Sequence, residues 1–186
     1  MKMNREENLF DIAAKIKKCT KCRLWKNRKK AVPGEGPIHT NLLFIGEAPG
    51  KNEDQTGRPF VGRSGALFTD LLQSSGLNRK NVFITSVIKC HPPQNRKPRS
   101  DELNTCISLW MEKQIQLIDP DMIVLLGGVA VNSMIGKKKI KNHHGEIVIQ
   151  NKRSFFITYH PSAGLRNPKT KKRLVNDFKK IHDHID

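Results

Sequence analysis

The chain has 186 residues, of which 37% are hydrophobic, so it is within the size of one domain and has enough apolar side chains for a packed core. Its 34 Lys and Arg against 17 Asp and Glu give a formal charge of +17, an excess that indicates a polyanionic partner rather than solubility alone. The sequence has neither a long apolar segment nor a basic amphipathic helix with aromatic anchors, which argues against a membrane partner and favours nucleic acid.

The N-terminal part of the chain predicts an intracellular protein that begins with a helix. Residues 1–8 lack the apolar stretch of a secretory signal and include acidic residues, which transit peptides avoid. We therefore expect a cytoplasmic, nucleoid-associated protein. Apolar residues between Leu9 and Ile16 recur at helical spacing, and Asn4 is the predicted cap of this helix, which should end near Cys19.

Short apolar runs bounded by turn residues predict buried β-strands. They cover residues 42–45, 82–85 with 87–88, 122–126 and 155–158. Helices are predicted between and after them: one with an apolar stripe at residues 67–72, a long one that Ser100 caps and that runs to about Ile118, and a basic one from about Lys169. This alternation predicts a single α/β domain, residues 1–186, with a mostly parallel sheet covered on both faces.

The unusual residues of the chain follow predicted strands. Residues 46–50 (Gly-Glu-Ala-Pro-Gly) follow the first strand, residues 89–93 (Lys-Cys-His-Pro-Pro) follow the second, and residues 160–162 (His-Pro-Ser) follow the last. Ligands of such sheets bind outside the carboxyl ends of the strands, where loops converge. We therefore expect these three segments to form the functional site.

The four cysteines have a spacing that indicates a metal site. Cys19 and Cys22 form a Cys-x-x-Cys pair at the end of the first helix, and Cys90 and Cys106 are separated by 15 residues across a proline-rich loop. In a reducing compartment such a set is more often metal-ligating than disulfide-bonded. Four thiolates suit tetrahedral zinc or an iron-sulfur cluster. The widely spaced second pair favours the cluster, but spacing alone does not separate the two.

Taken with the cysteines, three motifs resemble the family 4 uracil-DNA glycosylases. They are residues 46–50 with Glu53 and Asp54, residues 57–62 (Gly-Arg-Pro-Phe-Val-Gly) and residues 160–162. Each motif is short, but their order and the interleaved cysteines make the resemblance specific, and it covers nearly the whole chain. The resemblance implies a three-layer α/β/α sandwich and a structural [4Fe-4S] cluster on the four cysteines. It also implies an enzyme that hydrolyses the N-glycosidic bond of flipped-out uracil in base excision repair.

The resemblance further implies the roles of individual residues. Phe60 would stack on the flipped base, and His160 would donate a hydrogen bond to uracil O2 as the bond breaks. Glu47 would orient the attacking water and favour the positive sugar, while the backbone from Gly46 to Ala48 would bind the uracil edge. No lysine in the motifs is marked as a nucleophile, which predicts a monofunctional enzyme that leaves an abasic site.

Three residues near the last motif are predicted to contact DNA: Ser162, Leu165 and Arg166. Residues 161–166 are expected to form a loop against the minor groove, with Leu165 as a wedge beside the flipped base. Packing of a helix is the alternative role of this leucine. Basic residues at 137–141 and 169–173 are candidates for phosphate contacts that position the protein without reading sequence, or are solvated surface.

Two residues depart from the family pattern. Ser86 stands where the family has an asparagine, whose amide pairs with uracil N3 and O4 and rejects cytosine. Serine is too short for that bidentate contact unless water fills the gap, so the base range is open. His91 stands where the family usually has arginine, and this change affects a phosphate or loop contact.

Three functional hypotheses follow. The first is a uracil-DNA glycosylase that acts as a monomer on uracil-containing DNA, ahead of later base-excision-repair enzymes. The second is a glycosylase whose base range is altered by Ser86. The third is a non-catalytic, metal-stabilised DNA-binding protein; the charge and the cysteines fit it equally well, and the motif residues Glu47, Phe60 and His160 argue against it.

Overall fold

The structure is a computed structural model that describes residues 5–136 and 139–184, with side chains from Leu9 onward. The predicted cap Asn4 and two of the predicted phosphate-contacting residues, Lys137 and Lys138, lie outside these residues. Within the described part of the chain, no helix has the length and apolar character needed to cross a membrane.

The centre of the protein is a five-stranded sheet with the strand order β2-β1-β3-β5-β4. The strands are β1 (Leu42–Gly46), β2 (Phe83–Ser86), β3 (Met122–Leu126), β4 (Ile147–Gln150) and β5 (Arg153–Thr158). β2, β1, β3 and β5 are mutually parallel, and β4 runs antiparallel to β5 at the edge. The parallel strands are those predicted from the apolar runs, which confirms the mostly parallel sheet.

Helices cover both faces of this sheet. They are α1 (Arg5–Lys17), α2 (Lys51–Thr56), α3 (Arg63–Ser74), α4 (Ser100–Cys106), α5 (Glu112–Ile118), α6 (Gly128–Ile135), α7 (Ile140–His143), α8 (Pro161–Arg166) and α9 (Pro168–Asp183). Alternate side chains of β1 enter opposite cores. Leu43 and Ile45 pack with α1, α5 and α6, whereas Leu42 and Phe44 pack with α3 and α9. The result is the three-layer α/β/α sandwich that the resemblance implies.

Two element boundaries differ from the prediction. β2 ends at Ser86 rather than continuing through Ile88, because the chain bends there and the Lys89 ammonium folds back onto the Ser86 carbonyl (2.8 Å). Ser100 is the first residue of α4 and not its cap. The Glu102 carboxylate instead accepts a hydrogen bond from the backbone N–H of Arg99 (2.8 Å), and a π-helical turn separates α4 from α5.

Residues 161–166, predicted as a loop, form the short helix α8. Pro161 fits the first helical turn, and the His160 ring caps the helix by accepting from the Ser162 N–H. Strand β4 was not predicted, because it is short and largely half-exposed. Asn151 and Lys152, with φ of 51° and 61°, form the tight turn that joins it to β5. The short helices α2, α6 and α7 were not predicted either.

Candidate active site

A pocket of about 580 Å³ opens at the carboxyl ends of the parallel strands. The segments that follow β1, β2 and β5 all contribute to it, as predicted for this type of sheet. Five of the predicted catalytic and base-binding residues line it: Glu47, Ala48, Phe60, Ser86 and His160. Gly46 lies just behind them, where a Cβ would come within 2.8 Å of the Phe60 ring and 3.3 Å of Ser86 Oγ. Glycine is therefore required at the end of β1.

The loop that carries Phe60 is held by Glu53, a role that the sequence analysis missed. The buried Glu53 carboxylate accepts hydrogen bonds from the backbone N–H groups of Val61 (2.8 Å), Gly62 (2.9 Å) and Gly50 (3.1 Å). One side chain thus connects the loop after β1 with the loop before α3. The three-residue spacing from Gly50 to Glu53 is the helix-capping pattern that could have indicated this role.

Phe60 has a strained backbone and belongs to both the pocket and the core. Its φ of 48° is in the left-handed region, which costs a non-glycine residue about 1–3 kcal/mol. The Arg79 guanidinium stabilises this turn by donating to the carbonyls of Pro59 (2.7 Å) and Phe60 (3.2 Å). The Phe60 ring packs against Phe68, with centroids 4.9 Å apart, and stacks on His160 at 5.6 Å. Its orientation is therefore fixed by the protein itself.

His160 is a neutral imidazole in the pocket wall. Burial, and to a smaller extent Arg166, lower its pKa from 6.5 to about 4, while Glu53 acts in the opposite direction. The His160 Nδ1 accepts from the backbone N–H of Ser162 (3.1 Å) and also contacts Ser162 Oγ (2.8 Å). Because Nδ1 is an acceptor, the ring proton is on Nε2. At neutral pH this residue is an uncharged N–H donor.

Glu47 lies half-buried directly after β1, in the same pocket as His160. Burial raises the pKa of the Glu47 carboxyl above its ordinary 4.5, and the Lys97 ammonium partly offsets this rise. Lys97 is an exposed residue that also lines the pocket, which the sequence analysis did not predict. The pocket thus combines an aromatic ring, a carboxylate and a neutral donor.

The two residues that depart from the family pattern both contact this region. Ser86 lines the pocket and is only 5% exposed. His91 donates from Nδ1 to the carbonyl of Pro49 (2.9 Å), because a carbonyl can only accept. His91 therefore makes a contact between the loops after β2 and β1.

The three predicted DNA-contacting residues lie on α8. Ser162 and Arg166 line the pocket. Leu165 does not line it and is 44% exposed, and its role as a wedge stays a prediction. Basic residues of α9 follow directly, and among them Arg173 donates to the hydroxyl of Tyr159 (3.0 Å), another residue of the pocket wall.

A second, narrow cavity contains every cysteine of the chain: Cys19, Cys22, Cys90 and Cys106. All are free thiols, and burial raises the pKa of Cys90 and, to about 12, that of Cys106. Three basic residues, Lys21, Arg28 and Lys89, line the same cavity. The Arg28 guanidinium donates to Cys90 Sγ (3.1 Å), and the fully buried Lys89 has its pKa lowered by burial to about 7.

The cysteines do not form a preformed ion site. Among the described side chains, those of residues 9–136 and 139–184, no three His, Cys, Asp or Glu residues are grouped closely enough to hold a metal ion. Four sulfur donors surround one cavity, with three basic residues beside them. This donor set is one that an iron-sulfur cluster or a tetrahedral zinc ion uses.

Comparison with known proteins gives a consistent result. Residues 33–181 match the family described as the uracil DNA glycosylase superfamily. The chain is 44% identical to the type-4 uracil-DNA glycosylase of Saccharolobus solfataricus, over 96% of this chain and 87% of that protein. It is 41% identical to the type-4 uracil-DNA glycosylase of Thermotoga maritima, over 97% and 96%. Its identity to the type-5 uracil-DNA glycosylase of Pyrobaculum aerophilum is 28%, over 83% and 75%.

Proposed function

The chain belongs to the uracil DNA glycosylase superfamily, among its type-4 members, and from this premise we propose that its pocket hydrolyses the N-glycosidic bond of flipped-out uracil in DNA. The observation that carries the proposal is the neutral His160 donor in one pocket with Phe60 and Glu47. The product is free uracil and an abasic site, the starting point of base excision repair. The charge of +17 supports binding to the phosphate backbone.

The pocket residues match the charges that develop as the bond breaks. The sugar becomes positive and the departing uracil becomes negative at O2 and O4. The Nε2–H of His160 donates to uracil O2 and stabilises the negative charge, while the Glu47 carboxylate favours the positive sugar and orients the attacking water. Phe60 stacks on the extruded base, and the small residues Gly46 and Ala48 let the backbone approach the uracil edge.

Hydrolysis by water, without a lysine nucleophile, gives a specific expectation for the product. Lys97 is the lysine that lines the pocket, and it is exposed, whereas a lysine nucleophile is ordinarily activated by burial. We expect the DNA strand to stay intact until alkali is added, and borohydride to trap no covalent complex during turnover. A trapped complex that is lost in Lys97→Met would contradict the hydrolytic mechanism.

Ser86 is the residue we propose to set the base range. Its side chain lacks the amide that would pair with both N3 and O4 of uracil, so discrimination against other bases is weaker than with asparagine. Ser86→Asn is expected to raise the ratio of kcat/KM for uracil over hypoxanthine and xanthine by about tenfold, the value of roughly one added hydrogen bond. Rates on duplexes with each base measure this ratio. An unchanged ratio would assign the selectivity to other residues.

We also propose that the four cysteines hold a [4Fe-4S] cluster. The supporting observations are the shared cavity and the three basic residues that line it, Lys21, Arg28 and Lys89. The cluster would connect the segment that follows α1, the loop after β2 and the end of α4 through their cysteines. This is a structural role, and no step of the hydrolysis depends on it.

The two tryptophans of the chain, Trp25 and Trp110, both line the cysteine cavity and report on its contents. Protein loaded with the cluster is expected to be brown, to contain ~4 iron and ~4 acid-labile sulfide per chain, and to have quenched tryptophan fluorescence. Chelation should restore the fluorescence and lower the melting temperature by several degrees. A colourless protein with one zinc per chain and unquenched fluorescence would contradict the proposal.

We propose a cytoplasmic monomer that acts on nucleoid DNA ahead of later repair enzymes, a placement supported by the charge and the free cysteines. The non-catalytic DNA-binding alternative gains no support from the pocket, since binding alone needs neither a neutral His160 nor a half-buried Glu47. That alternative predicts that Glu47→Gln and His160→Ala bind DNA as before and that no variant, including the wild type, releases a base.

A further inference from the structure

Lys89 is buried between the two sites of the molecule. It is 1% exposed, and it lines the cysteine cavity while its Nζ donates to Thr85 Oγ1 (2.7 Å) and to the carbonyl of Ser86 (2.8 Å). Ser86 in turn lines the base pocket. Lys89 is therefore in contact with the base-facing segment at one end and with the cysteines at the other.

The path of the chain links the two sites as well. Lys89 directly precedes Cys90, so a group bound by the Cys90 sulfur would fix the backbone from which the Lys89 side chain extends. From that backbone the Lys89 Nζ reaches back to the Thr85 hydroxyl and the Ser86 carbonyl.

Arg28 provides a natural comparison within the same cavity. Its guanidinium donates to Cys90 Sγ (3.1 Å) and to the carbonyl of Lys17 (2.9 Å), and Arg28 does not line the base pocket. The two cations therefore share the proximity to the cysteines and differ in their contact with Ser86. A variant of Arg28 therefore tests the effect of a cation beside the cysteines alone, whereas a variant of Lys89 also tests the contact with Ser86.

We propose that Lys89 is a positioning residue that couples the four-cysteine site to base recognition, holding the Ser86 carbonyl so that the Ser86 side chain faces the base. The proposal rests on the proposed uracil excision and on the proposed cluster. A cluster at the cysteines would fix the backbone at Cys90 and with it Lys89, whose Nζ in turn holds the bend that ends β2 at the pocket. Loss of the cluster would then weaken base binding although no cysteine touches the base.

The test compares iron-loaded wild type, Lys89→Met, Arg28→Met and, as a control, Lys80→Met, an exposed lysine outside both cavities. Affinity is measured on a duplex with 2′-fluoro-2′-deoxyuridine, whose fluorine slows loss of the base, and on the same duplex with thymine. Cluster reduction potential is the second readout. Replacing Lys89 or Arg28 by methionine should make the reduction potential more negative, because the reduced cluster carries one more negative charge and loses a nearby cation.

Lys89→Met alone is expected to weaken binding of the fluorinated duplex, by about tenfold, with binding of the thymine duplex unchanged. Arg28→Met should shift only the potential, and Lys80→Met neither quantity. Equal affinities of Lys89→Met and wild type for the fluorinated duplex would overturn the proposal. A wild type that holds iron and does not excise uracil would instead overturn the proposed function.

If Lys89→Met is recovered without iron, Thr85→Val provides a second test of the same contact. This variant keeps the lysine charge and removes one of the two oxygens that hold its Nζ. The expected result is normal iron content, an unchanged potential and about threefold weaker binding of the fluorinated duplex. Wild-type affinity with normal iron content in Thr85→Val would overturn the coupling.

Discussion

Replacing His160 by alanine is expected to lower kcat on uracil-containing DNA by about 10²- to 10³-fold, the usual effect of removing one donor to a developing negative charge. Affinity for the substrate should change only a few-fold, because the hydrogen bond to uracil O2 strengthens mainly as the bond breaks. Single-turnover rates with excess protein measure the chemical step without product release. The low pKa of His160, about 4, predicts that its protonation does not limit the rate between pH 5 and 8.

Ser162→Ala is the matched control for this variant. It removes the hydroxyl near His160 Nδ1 but keeps the backbone N–H that donates to the same nitrogen, so the Nε2–H tautomer is retained. We expect at most about a threefold loss of rate. If His160→Ala excised uracil at the wild-type rate, the electrophilic role of this histidine would be wrong.

Replacing Glu47 by glutamine is expected to lower kcat by about 10²- to 10⁴-fold, because a neutral amide neither stabilises the positive sugar nor polarises the attacking water. Glutamine has nearly the same shape, so substrate binding should be kept. Burial raises the pKa of Glu47 above 4.5, and the rate should therefore fall with acidification at a higher pH than for an exposed glutamate. This acidic limb of the pH profile should be absent from the residual activity of Glu47→Gln.

Glu112→Gln, at an exposed glutamate of α5 outside the pocket, controls for the loss of one negative charge from a strongly basic protein. Its rate and pH profile should match the wild type. An acidic limb that persists unchanged in Glu47→Gln would assign the titration to another group, and a wild-type rate in that variant would remove Glu47 from the mechanism.

Much of this site was predictable because the apolar runs indicate the strands and the motifs directly follow them, at the edge of a parallel sheet where ligands bind. Continuous apolar runs indicated the parallel strands, and the motifs after them converge at one edge, as the carboxyl ends of parallel strands must. His160 was identified from a short motif at one of these ends, and Phe60 from a short motif in the loop between α2 and α3. Their chemical states were not predictable: the Nε2–H tautomer depends on the Ser162 N–H, and the low pKa depends on burial by the whole fold.

The missed features depend on contacts between residues distant in sequence. Glu53 looked like part of a motif, and its hydrogen bonds to Val61 and Gly62 follow only from the path of the loop. The burial of Lys89 could not be predicted, because nothing in the sequence distinguishes this residue from the rest of the 34 basic residues. Helix α8 was predicted as a loop because its cap is the ring of His160 rather than one of the usual capping side chains.

The central claim, that this pocket excises uracil, is tested most directly by incubating iron-loaded protein in excess with an end-labelled duplex that contains one uracil, followed by alkali. The expected result is a strand cut at the uracil, an uncut thymine duplex, and a cut that disappears in His160→Ala on the same time scale. An iron-loaded, folded wild type that leaves uracil uncut in every pairing would contradict it.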